Sequence, residues 1–172
     1  DDNIAIGRSA LVGSGSTTGD NNVAIGTFAM DALTTGANNI AVGCSALGAA
    51  TTGACNVAIG HCALFAQTDG LSNVAIGNGA MHSVSADADH SIAIGTNALS
   101  HASLTGINNI ALGNAAGDAV TTGTQNVAIG INAMGAATTG SHNIAIGPTV
   151  MASGVVTGNY NIAMSQGAGD AI

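Results

Sequence analysis

Three cysteines, five histidines and nine aspartates are the side chains of this 172-residue sequence that could do chemistry beyond packing. Cys44 and His61 occupy equivalent places in a repeated pattern, one repeat apart, which makes them the Cys/His pair expected to stack as neighbours. A structural zinc site closes with four ligands, so a pair of this kind is expected to be surface side chains. His90 and His142 also share a place but lie three repeats apart, too far to hold one metal, and His82 and His101 fall elsewhere. Asp87 and Asp89 sit together in the stretch from Ser83 to His90. Calcium takes six to eight oxygens, and the Gly/Asp nonapeptide of calcium-binding rolls is absent, so a solvated loop is expected. Asp31, Asp118 and Asp170 share a place and read as solubilising charges, and Arg8, the only basic residue, as a lone surface charge. Cys44, Cys55 and Cys62 occupy three different places, so stacking like on like pairs none of them, and small semi-buried thiols are expected. Serines and threonines fall in turns without a His and a carboxylate around them. Gly13-Ser14-Gly15 leads into no helix, as a phosphate loop would require. The expectation is no catalytic, cofactor-binding or metal site, and no enzyme.

The elements that position these residues come from one pentapeptide. Asn56-Val57-Ala58-Ile59-Gly60 recurs ten times with small changes, beginning at residues 3, 22, 39, 56, 73, 91, 109, 126, 143 and 161, at spacings of 17 to 19. A short fixed period marks a solenoid whose repeats bury their apolar faces against one another. Val57 and Ile59 share one side of the pentapeptide, and Asn56, Ala58 and Gly60 the other, which is the two-residue period of a strand; β-branched residues suit its pleat. The following Ala63-Leu64, or Ala29-Met30, reads as a second strand or a tight corner. Thr34-Thr35-Gly36, Thr51-Thr52-Gly53, Thr121-Thr122-Gly123 and Thr138-Thr139-Gly140 supply turns. Two short strands and two corners per coil, stacked in register, make a parallel β-roll of about ten coils of 17–18 residues, a single all-β domain spanning 1–172. The asparagines Asn22, Asn39, Asn56, Asn73, Asn109, Asn126, Asn143 and Asn161 form a column expected to bond the backbone at a corner and the Asn of the next coil.

Composition excludes several roles. Glu, Lys and Trp are absent, charged residues make up 6%, and the formal net charge is −8. Nucleic-acid binding requires Lys and Arg against phosphates, and an electrostatic membrane anchor requires a basic cluster. No apolar run approaches the ~18 residues of a membrane-spanning helix, and no secretory leader opens the sequence. The pattern is already running at Asp1-Asp2-Asn3 and still running at Gly169-Asp170-Ala171-Ile172, so the chain reads as uncapped, a fibre segment or a filament protomer. Ala24, Ala41, Ala58, Ala75, Ala93, Ala111, Ala128 and Ala145 form a column of methyl groups on the Asn side of the strand. As an exposed, uncharged stripe it would pack against identical stripes of other chains, so a homo-oligomer is expected.

Repeats spelled Asn-Val-Ala-Ile-Gly with a small-residue, Gly-rich remainder resemble the head repeats of YadA-like trimeric autotransporter adhesins and related repeats of phage and viral tail fibres. The resemblance covers all ten copies and implies a left-handed parallel β-roll, three chains side by side, on a cell surface, a virion or otherwise outside the cell. The Thr-Thr-Gly insert lengthens the coil beyond typical adhesin heads. The expected role is a structural or adhesive fibre segment presenting a surface to a host receptor or glycan. Alternatives are a filament growing by end-to-end stacking, through the unpaired strand edges of uncapped ends, and an ice- or ligand-binding solenoid suggested by the Thr pairs. No cofactor, nucleic acid or membrane insertion is expected.

Overall fold

The computed structural model describes residues 2–13, 17–84, 88–101, 103–137, 139–153 and 156–169. Asp1, Ser14, Gly15, Asp87, Thr138 and the stretch 170–172, invoked above, lie outside them. The chain is an all-β solenoid of about nine turns. Its strands are β1 (Ile4–Ile6), β2 (Val23–Ile25), β3 (Ile40–Val42), β4 (Val57–Ile59), β5 (Val74–Ile76), β6 (Ile92–Ile94), β7 (Ile110–Leu112), β8 (Val127–Ile129), β9 (Ile144–Ile146) and β10 (Ile162–Met164). They form one parallel sheet in sequence order, with Ala opposite Ala at every step, as in Ala41↔Ala58 and Ala58↔Ala75. The lengthened spacings before β2, β6, β7 and β10 leave this register intact, because the additional residues are absorbed outside the strands.

Each coil carries one named strand, and the second apolar cluster is a corner. After Gly60, at φ +136°, Cys62 and Leu64 take left-handed φ values of 54° and 51°. The consequence is an alternating bonding pattern. The Cys62 N–H donates to the Cys44 carbonyl of the preceding coil, the Ala63 N–H to Gly60 within the turn, and the Leu64 N–H to Ala80 of the following coil. Left-handed backbone costs a non-glycine residue about 1 kcal/mol or more, and β-branched residues suffer most. Across these two corner positions the residues are Ser, Asn, Cys, Phe, Ala, Leu, Met and Gly, with Thr149 the one β-branched exception. Hydrogen bonds to both neighbouring coils offset the strain. The residue before each Asn column member is left-handed too, from Asn21 and Asn38 to His142 and Tyr160.

The Gly of the pentapeptide has a steric reason to be Gly. Its φ lies near +135° in nine coils, a region closed to other residues, and a Cβ on Gly60 would run into the Gly77 carbonyl of the next coil.

Burial overturns the expected inter-chain stripe. Ala24, Ala41, Ala58, Ala75, Ala93, Ala111, Ala128 and Ala145 are 0–2% exposed, in the chain's own interior. The reason is the width of the roll. Leu and Met from the facing corner, such as Leu47, Leu64 and Met81, are fully buried and fill the lumen, leaving room opposite them for a methyl group only. The Asn column turns inward with the Ala, and the valines and isoleucines of the strands turn outward.

Candidate interaction face

The inward asparagines form the expected ladder. Asn39 and Asn56 show its unit: the Asn56 N–H and Nδ2 donate to Asn39 Oδ1 at 3.0 and 3.2 Å, and Nδ2 also donates to the Gly70 carbonyl at 2.7 Å. Asn22, Asn109, Asn126 and Asn143 close their own coils in the same way, onto the carbonyls of Gly36, Gly123, Gly140 and Gly158. Asn161 donates to Asn143 Oδ1 through both its N–H and its Nδ2. Every polar atom of this buried amide that points at a neighbour has work, which is the condition for burying it at all. Asn73 departs from the unit: its Nδ2 donates to Gln67 Oε1 and to the Ala88 carbonyl.

What this inward arrangement leaves outside is a face. The first and third residues of each strand project outward as two adjacent rows, from Val23 and Ile25 in β2 to Ile144 and Ile146 in β9. All are Val, Ile or Leu across those eight strands, none is charged, and none is fully buried; Ile40 is 40% exposed, Ile59 38% and Ile94 40%. With strands ~4.8 Å apart, the rows of β2 to β9 run for about 34 Å. A continuous aliphatic strip of that length is larger than the scattered apolar residues of an ordinary surface. Sequence reasoning took the Ala side of the strand, not this one, as the exposed stripe; the signal that could have corrected it is the bulk of the Leu/Met corner, which already fills the interior.

The candidate chemical residues do not converge. His82 stacks on Phe65 at 5.4 Å and bonds the Ser83 hydroxyl, whereas His142 meets the edge of Tyr160 at 4.6 Å. His101 Nδ1 accepts from the Ser103 N–H, and the His90 N–H donates to the Leu71 carbonyl. Asp89, of the supposed calcium pair, has its carboxylate engaged by the Leu71 N–H at 2.7 Å. Arg8 is exposed, and its guanidinium lies over the Phe28 ring at 4.9 Å. Burial pushes the Asp118 carboxyl up from its ordinary value, against the opposing pull of its backbone hydrogen bond and of His101, and its Oδ1 has no hydrogen-bond partner. The hydroxyls of Thr34 and Thr51 donate to the carbonyls of Thr51 and Thr68 in the next coil, so they bind the roll to itself. Among the described residues there is no group of three or more His, Cys, Asp or Glu placed to share a metal, and no helix long and apolar enough to cross a membrane. Compared with protein-family models, with curated proteins and with solved structures, the chain matches none.

Proposed function

We propose that this chain is a rod-forming structural segment of a fibre outside the cell or on a virion, assembled from copies packed along their Val/Ile faces. The observation that carries the reading is the uncharged double row on the outside of β2 to β9. Burial of apolar area drives association at ~25 cal/mol per Å², and rows made throughout of Val, Ile and Leu present the same kind of surface to their own copy. Three copies, as the adhesin-like repeats imply, would turn all the rows toward one axis and leave the Thr-Thr-Gly corners and the aromatic patches outward for a host receptor or glycan.

End-to-end growth into a filament is the second reading, because parallel coils stacked in one register offer the same pairing pattern at every step. One feature weighs against it. Ser165 stands where the other nine coils have Gly, at φ 91°, and a Cβ in that column points at the backbone of the following coil. A further coil on the β10 edge in the same register would meet it.

Light scattering on a size-exclusion column tests the proposal. A mass near three times 16.3 kDa is expected, falling to that of one chain in Ile59→Asp/Ile94→Asp with the circular dichroism unchanged. Filaments on a grid would favour the second reading, and a monomeric unmodified chain would overturn both.

A further inference from the structure

Cys44 and Cys62 lie in consecutive coils, one position out of column, together with Ser45 and His61 as a two-by-two patch. The Cys62 N–H donates to the Cys44 carbonyl at 2.9 Å. With the Cα–C=O angle of a planar carbonyl and everything beyond it in line, the two α-carbons are then at most about 6.8 Å apart, within the span that a disulfide bridges. Each thiol also turns along its own coil toward the column that holds the other. Cys44 Sγ leans toward Ser45 Oγ at 3.8 Å, which is the column of Cys62, and Cys62 Sγ leans toward His61 Nε2 at 3.5 Å, which is the column of Cys44. Cys44 is exposed and Cys62 partly so, and all three thiols are free in this structure. Burial, and after it the Cys44 thiol, push the Cys62 thiol up, so its proton needs a local acceptor; the His61 imidazole beside it is one.

We propose that Cys44 and Cys62 form a cross-coil disulfide on exposure to a low-molecular-weight disulfide, with His61 as the proton acceptor. Cys62 passes its proton to His61 Nε2 and the thiolate attacks one sulfur of the small disulfide. That S–S bond breaks, and the first small thiolate leaves and takes up the proton. Cys44, giving up its own proton, then attacks the Cys62 sulfur of the mixed disulfide and expels the second small thiolate, which takes that proton. Two protein thiols are oxidised, and one small disulfide is reduced to two thiols. Cys55, on the other side of the strand next to the Asn column, takes no part.

The experiment treats the native chain with oxidised glutathione, alkylates what remains free and maps the peptides by mass. The thiol count is expected to fall from three to one, with a Cys44–Cys62 linked peptide and Cys55 alkylated. Cys44→Ser should stop at a glutathione adduct on Cys62, and Cys55→Ser should cross-link as before. Three alkylated thiols, a link through Cys55, or a lasting glutathione adduct on Cys62 of the unsubstituted chain would each overturn the assignment. The cross-link lies within one chain, so a monomeric mass, which sinks the rod, leaves it standing.

Discussion

At Asn39 and Asn56 the interior is tied by asparagine alone, whereas around Asn73 and Ser91 the residues Gln67, Asp89 and Ser91 share the task. In the first region Asn39 and Asn56 each close their own coil onto a glycine carbonyl fourteen residues on and hand an acceptor to the next coil. In the second, where the spacing grows to 18, Gln67 Nε2 joins Asn73 Nδ2 on the Ala88 carbonyl, at 2.8 Å each. Ser91 stands in the Asn column, accepting from the Asn109 N–H and donating to the Asp89 carbonyl, each at 3.2 Å. The comparison teaches that stacking demands a buried acceptor at this point of every coil and tolerates several side chains that supply it. An additional residue in the corner is accommodated by recruiting further polar groups, not by breaking the sheet.

The substitution expected to do most harm ignores the difference. Gly60→Val forces a β-branched residue to φ +136° against the next coil's backbone. It should cost about 3 kcal/mol or more, read by urea unfolding, and Gly95→Val in the irregular region should match it. Next, Asn56→Ala orphans the Asn73 N–H in a dry interior and leaves the Gly70 carbonyl with the Ala54 N–H alone, for a loss of about 2 kcal/mol. Ser91→Ala removes one acceptor and one donor on a shorter reach and should cost about 1 kcal/mol by the same measurement; equal losses would erase the distinction between the regions. Ser91→Asn sharpens it. Asn143, in another coil of spacing 18, reaches the Gly158 carbonyl fifteen residues on, so an Asn at 91 should gain about 1 kcal/mol by reaching Gly106. Smallest is Asp118, a half-buried carboxylate in a regular coil whose Oδ1 has no hydrogen-bond partner. Its carboxyl is raised in the folded chain, so the fold binds the proton more tightly than the unfolded chain does. Its contribution is therefore present at low pH and is lost as pH rises above the ordinary carboxylate range. Asp118→Asn should lift the melting temperature slightly at neutral pH and hardly at all in acid.

The period, the strand and the Asn ladder were legible because each depends on residues recurring in phase, and stacking in register is the one arrangement that lets Asn39 meet Asn56. The inside and outside of the strand were not. Alternation assigns Ala58 to one face and Val57 and Ile59 to the other without saying which is buried. The deciding fact sits across the lumen, where Leu47, Leu64 and Met81 already occupy the space. Residue type alone does not separate strand from corner at the second apolar cluster, because φ leaves only a faint trace in it. Asn21, Asn38 and Asn108, residues that tolerate left-handed backbone, were that trace before the Asn column, and Leu64 shows none. Of the candidate face, every residue was visible and its orientation was not; the Cys44–Cys62 patch needed the diagonal contact that columns alone conceal.

The bonds that join coil to coil, such as Val57 N–H to the Asn73 carbonyl and Gly60 N–H to Val42, lie along the length of the rod. A pull on the two ends of a single chain therefore loads only the outermost interface, and the coils peel away in turn. Each coil of 17 residues lengthens from ~5 Å of stack to ~58 Å of extended chain. The rod is in this sense a spool, yielding length at nearly constant force in steps of roughly 50 Å, and a bridge closed across two of its coils would hold one step back.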